Sequence, residues 1–143
     1  MTIIVDIISE RLELSNYLNQ INPDGKTGAV VTFSGLTRDY FQHKKVVSLD
    51  YECYREMALS SLREIAEKCI SRGALNVCLV HREGPVNIGE VSVICIITCS
   101  HRKLAFELCE YSLESIKQIV PIWKKEIYSD QTSTWKENNN PDK

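Results

Sequence analysis

Cationic and titratable side chains gather at three points of this sequence where an apolar segment gives way to a polar one. Ser100, His101, Arg102 and Lys103 come after a buried-looking stretch and open a long helical pattern. A helix start leaves backbone N–H groups without partners and carries the positive end of the macrodipole, so it attracts anions. Cations placed there oppose the dipole and call for a compensating anion, which makes the cluster a candidate anion site; the bland alternative is a solvated first turn. The far end of the same helix carries Lys117, and after Pro121 come Trp123, Lys124 and Lys125. A lysine crowded by other cations or partly desolvated has a lowered pKa and can move protons or act as a nucleophile, although lysines near a helix C-terminus are also ordinary dipole partners. Arg38, Lys44 and Lys45 occupy a loop after a strand, where a soluble hairpin tip is an equal alternative.

Geometry constrains how these clusters act together. Sixteen residues separate His101 from Lys117, an axial rise of about 24 Å at roughly 1.5 Å per helical residue. Extended side chains cannot close that gap. If both helix ends serve one kind of site, a second copy of the chain supplies one of them.

Other chemistries find less support. The cysteines at 53, 69, 78, 95, 99 and 109 form no Cys-x-x-Cys pair, and no histidine stands at zinc-ligand spacing, so neither a metal nor a resident cofactor is expected. Cys95 and Cys99 share a strand face and read as small buried hydrophobes. His81 and Arg82 precede a Glu-Gly-Pro turn and could line a site, though a strand end explains them as well. No nucleophile triad, phosphate-cradling glycine loop or carboxylate pair is present.

The elements that must hold these residues are set by periodicity. The 143 residues are 43% hydrophobic and 25% charged, with a formal net charge of −2, which places the chain with ordinary globular proteins and away from nucleic-acid binders. The first residues, MTIIVDIISERLEL, lack a basic leader and read as neither signal nor transit peptide, no apolar run is long enough to span a membrane, and the thiols read as reduced; the cytosol is the expected location. Strands are predicted at residues 2–8, 28–35, 46–53, 74–81 and 90–99. The second and third are expected to form a long-looped hairpin, and the REGPVNIG segment between the last two is expected to be a turn. A short helix capped by Ser9 should run through Leu18, a second should cover residues 56–72 with Gly73 as its stop, and a third capped by Ser100 should reach Val120. Strand-like pieces are expected at residues 122–128 and 132–135, with a frayed polar tail over residues 137–143 after a single domain of residues 1–136. The fold class is α+β with mostly antiparallel sheet.

Five segments carry something more specific: GAVVTFSGLTRD at 28–39, LDYECYREMA at 49–58, HREGPVNIGE at 81–90, SHR at 100–102 and IKQIVPIWKKEIY at 116–128. In that order and spacing they resemble the large, catalytic subunits of molybdopterin synthase, the MoaE-like family. SGLTRD, PIWKKEIY and the closing STWK resemble the eukaryotic members most.

The resemblance implies an α/β-hammerhead domain with an additional small β-subdomain. It also implies a homodimer within a heterotetramer, in which a small ubiquitin-like subunit docks on each large one. The small subunit's C-terminal Gly-Gly thiocarboxylate would enter a pocket of the large subunit and deliver sulfur twice to cyclic pyranopterin monophosphate, forming the dithiolene of molybdopterin. Lys117 and Lys124 match the family's catalytic lysines. Arg38 matches the arginine of the glycine-strand motif, while His101 and Arg102 match a pair contributed by the neighbouring protomer to hold the pterin phosphate. Phe33 and Lys125 occupy motif positions of the pocket lining. Ile119 departs from the family, standing where some members have another basic residue. The alternative from a different class is a non-catalytic homodimer whose lysines only clamp a partner's C-terminal carboxylate; an RNA-binding reading is disfavoured by charge and by the lack of aromatic stacking motifs.

Overall fold

A computed structural model describes residues 1–41, 43–130 and 132–137. The first sheet contains β1 (Thr2–Ile8), β5 (Asn76–Arg82), β7 (Val91–Cys99) and β2 (Ala29–Leu36), in that spatial order. Only β1 and β5 run parallel; the other pairs are antiparallel. Strand β5 is buried along its whole length because the sheet is covered on both faces, which is why its centre, Val77, Cys78, Leu79 and Val80, is a continuous apolar run and not an alternating one.

One face carries α2 (Arg55–Ser71) and α3 (Arg102–Ile119). Helix α2 buries Ala58, Leu62, Ile65, Ala66 and Cys69, and α3 buries Ala105, Leu108, Cys109, Ser112 and Ile116; both sets keep the three-and-four spacing of a helix stripe. Each fully buried Leu or Ile contributes about 2 kcal/mol. Ser112 is accommodated in this apolar layer by donating to the Leu108 carbonyl at 2.7 Å. The opposite face is capped by Leu12, Ile21 and the short helix α1 (Leu14–Leu18) over Cys78, Val80, Ile94 and Ile96. Gly73 adopts φ +119° after α2, the left-handed turn that stops a helix.

The second sheet joins β3 (Tyr40–Phe41), β4 (Lys44–Cys53), β8 (Ile122–Tyr128) and β9 (Ser133–Glu137), with β6 (Gly84–Asn87) on β4. Its buried residues Leu49, Tyr51, Ile122 and Tyr128 belong to the same apolar cluster as Ile97 and Leu108 of the first layer. Together these features are the mixed, mostly antiparallel α+β architecture expected from the sequence.

Several local expectations are corrected. β2 and β4 are not a hairpin: β2 pairs along its whole length with β7, and β4 lies in the other sheet. The intervening loop therefore carries the chain between sheets, with its own small pairing of Tyr40 to Lys45. REGPVNIG is not only a turn, since Gly84–Asn87 forms β6 against β4, with Pro85 opposite Asp50; proline is tolerated because β6 is an edge strand. Helix α1 starts after Glu13, not Ser9, and α3 is preceded by His101, not Ser100; neither has a side-chain cap. The polar tail lies outside the described residues from 138 onward, while Glu137 is the last residue of β9.

Candidate active site

Strand β2 ends in a register shift between Gly35 and Leu36, a bulge that bends the strand and re-aims the loop beyond it. A side chain at Gly35 would lie 2.7 Å from Val93 Cγ1, so only glycine lets the two strands approach there. Past the bulge, Thr37 is pinned by its neighbours: its N–H donates to the Glu90 carbonyl at 3.1 Å, and its own carbonyl accepts from Gly89 N–H at 2.9 Å. Glu90 is in turn held by Arg82 at 3.2 Å. This brace fixes the backbone immediately before Arg38.

Lys117 stands in the last turn of α3, where the carbonyl end of the helix favours a cation. The chain then turns at Pro121 into β8, whose alternation sends Lys124 and Glu126 to one side and Lys125 to the other. Lys124 is opposite Tyr51 on β4.

These segments enclose one cavity of about 430 Å³, with Phe33, Arg38, Lys117 and Lys124 all in its wall. Four of the seven residues marked by the family resemblance are thus brought together from β2, the loop after it, α3 and β8. The remaining walls include Tyr40, Tyr51, His81, Glu114 and Glu126. The lining is mixed in character, with Val46, Leu49 and Ile116 beside the charged groups, as suits a ligand with both ring and ionic parts.

The other three residues lie elsewhere. His101 and Arg102 are exposed at the opposite end of α3 from Lys117. Lys125 has its ammonium 5.5 Å from the ring centre of Trp135, a cation–π contact away from the cavity wall.

His81 is the titratable wall residue whose state the structure fixes most firmly. Its Nδ1 lies 2.8 Å from the Arg82 carbonyl, which can only accept, so Nδ1 carries the proton. Its ring meets that of Tyr51 edge-on at 4.9 Å between centroids. Complete burial pushes its pKa down to about 4 against the smaller opposing effect of that carbonyl. The imidazole is therefore neutral near pH 7, and the basic side chains of the wall other than His81 are Arg38, Lys117 and Lys124.

Two of the thiols, Cys53 and Cys78, are held in the protonated form. Burial, aided by a hydrogen bond to Glu83 at 3.4 Å, pushes the Cys53 thiol up to about 11, and burial alone pushes Cys78 up to about 12. Such thiols are poor nucleophiles. Among the described residues no cluster of His, Cys, Asp and Glu could hold a metal ion.

Residues 7–119 match the family described as MoaE protein. The chain belongs to that family. Among relatives, it is 40% identical over 136 residues to the molybdopterin synthase catalytic subunit of Dictyostelium discoideum, covering 92% of this chain and 85% of that one. Other relatives are far longer: the chain spans 37% of the Drosophila mojavensis protein of the same name. The solved structure of molybdopterin synthase from Staphylococcus aureus superposes with a TM-score of 0.84 at 36% identity, covering 91% of this chain and 94% of that one. The complex of subunits 1 and 2 of molybdopterin-converting factor from Helicobacter pylori shares the fold, with a TM-score of 0.74 at 23% identity over 92% of this chain and 88% of that one.

Within this MoaE-family fold, Tyr51 and Glu126 are wall residues that reading the sequence missed. Glu126 was accessible to inference, since it stands two residues after Lys124 in a strand and must share its face. Tyr51 becomes a neighbour of Lys124 only through the pairing of β4 with β8, which no local pattern announces.

Proposed function

We propose that this chain is the catalytic subunit of a molybdopterin synthase, a sulfurtransferase of molybdenum cofactor biosynthesis, and that the cavity between β2, α3 and β8 is where sulfur is transferred. The observation that carries this reading is the convergence of Arg38, Lys117 and Lys124, from three separate segments, on one partly apolar cavity. Family membership and the names of its relatives support the same activity.

The donor is the C-terminal Gly-Gly thiocarboxylate of a small ubiquitin-like subunit, and the acceptor is cyclic pyranopterin monophosphate. A relative solved as a complex of two different subunits supports a protein partner. In each transfer the thiocarboxylate sulfur bonds to a pterin side-chain carbon and its bond to the tail carbonyl is then broken by water, which leaves the tail as a carboxylate. Two such transfers make the dithiolene: at one carbon the C–O bond to the phosphate breaks as the cyclic phosphate opens, and at the other the carbon's own oxygen leaves as water. The lysines and Arg38 neutralise the anionic groups of tail and substrate and hold sulfur and carbon at reacting distance. Lys117 and Lys124 are the proton-handling groups. Phe33, 40% exposed at the cavity wall, offers a face to the pterin ring.

His101 and Arg102 serve a neighbouring protomer's cavity by binding substrate phosphate, which makes the working unit a homodimer with one small subunit per large one, acting in the cytosol. Their placement at the end of α3 away from Lys117 supports this division.

Reconstitution separates this reading from a carboxylate-clamping module. With thiocarboxylated small subunit and the pterin precursor, the expected result is conversion to molybdopterin with two thiocarboxylates consumed per pterin. Binding of the tail without any conversion would favour the clamp.

A further inference from the structure

The sheet face that borders the cavity places two lysines side by side. In the β8–β9 pairing Lys124 is directly opposite Lys136, a geometry that brings side chains to about 5 Å and is unfavourable for like charges. Glu126, two residues along β8, lies on that face. It is 4% exposed, and its Oε1 is 2.5 Å from Lys136 Nζ, whose side chain is itself only 12% exposed. Tyr128 adds a hydroxyl at 3.4 Å from the same oxygen. Glu126 and Lys124 line the cavity together; Lys136 is not part of the cavity wall.

A carboxylate this buried cannot stand alone as a charge. Lys136 neutralises it diagonally across the strands, so that next to Lys124 there is a neutral pair in place of a bare anion. We propose that Lys136 is a positioning residue of the sulfur-transfer site: by holding Glu126 in a neutral pair it sets the proton affinity of Lys124. The proposal rests on the reading of Lys124 as a proton-handling group. Its sign is determined by charge. Without Lys136 the net charge beside Lys124 becomes negative, its ammonium form is favoured, and its titration moves to higher pH. Without Glu126 the net charge beside Lys124 becomes more positive, and titration moves to lower pH.

The other charged or titratable groups sharing the cavity with Lys124 are Tyr51 of β4, Lys117 and Glu114 of α3, His81 of β5, Arg38 and Tyr40. All of them are unchanged in the variants that test the pair. The experiment is the pH dependence of kcat for the reconstituted synthase carrying Lys136→Met, Glu126→Gln or Lys136→Arg, each checked by thermal melting. One limb of the profile is expected to move up by about one pH unit in Lys136→Met and down by about one in Glu126→Gln, the size expected of a partly buried charge neighbour. Lys136→Arg, which keeps the cation, should leave the profile in place. A lowered rate with unmoved limbs, or movement in the same direction in both variants, overturns the proposal. If one variant does not fold, the direction in the other decides; if neither folds, the pair serves the fold and the proposal is overturned. Near-normal turnover of Lys124→Ala would instead remove the underlying reading of Lys124.

Discussion

Lys124 meets Tyr51 across the β4–β8 pairing and Lys136 across the β8–β9 pairing. Its motif, Pro-x-Trp-Lys, marked it through family resemblance, and the structure places it in the cavity wall with Lys117 and Arg38. Its chemical neighbours were less legible because they arrive from other strands: Tyr51 through β4 and Lys136 through β9. His81 was seen only as a strand-end residue that could line a site, since nothing local distinguishes a buried neutral imidazole from a solvated one. Its burial has a measurable consequence. A histidine whose folded pKa is about 4, against about 6.5 when unfolded, takes up its proton earlier in the unfolded chain. The stability tied to its neutrality is present above pH 6.5 and is lost as the pH falls towards 4. Urea unfolding across that range should show a loss of about 3 kcal/mol, and His81→Gln should flatten this part of the pH dependence. An unchanged slope in the variant would refute the assignment.

Elements were legible where one sequence period persisted. The stripes of α2 and α3 and the apolar runs of β5 and β7 are visible from spacing alone, because each buries a continuous face. Partner choice was not visible. The expected pairing of β2 with β4 failed because β2 is bound instead to β7 from Ala29 opposite Cys99 onward. Gly28 shows why that register is so firmly set. Its N–H donates to the Cys99 carbonyl at 3.0 Å, and a Cβ at this position would lie 2.1 Å from the Ser100 carbonyl oxygen. Backbone cannot move aside as a flexible side chain can. Gly28→Ala should therefore cost about 2 kcal/mol or more, read as a lower midpoint in urea, and should displace the β7–α3 junction that carries His101. A variant as stable as wild type would show that the strands part there without cost.

At the scale of the whole molecule, the proposed function has α3 link two half-sites that one chain cannot combine in one place. Lys117 meets its own cavity, whereas His101 and Arg102 are presented at the other end of the helix. The length of that helix, legible in the sequence, already required a second copy if both ends act on one substrate. Mixing a Lys117→Ala chain with an Arg102→Ala chain, under conditions of proven subunit exchange, should restore part of the activity that each lacks alone. One mixed dimer cavity would then retain both intact halves. No restoration would contradict the sharing of sites between protomers.

In the proposed function the lysines of this cavity carry out the transfer and do not merely hold the tail. Single-turnover reaction of the reconstituted synthase with thiocarboxylated small subunit, following molybdopterin formation and small-subunit binding in the same samples, separates the two roles. For Lys117→Ala, the expected result is product formation reduced at least about a hundredfold, the scale of a lost acid–base group, with small-subunit binding retained. Product formed at a near-normal rate by that variant would show that Lys117 takes no part in the transfer.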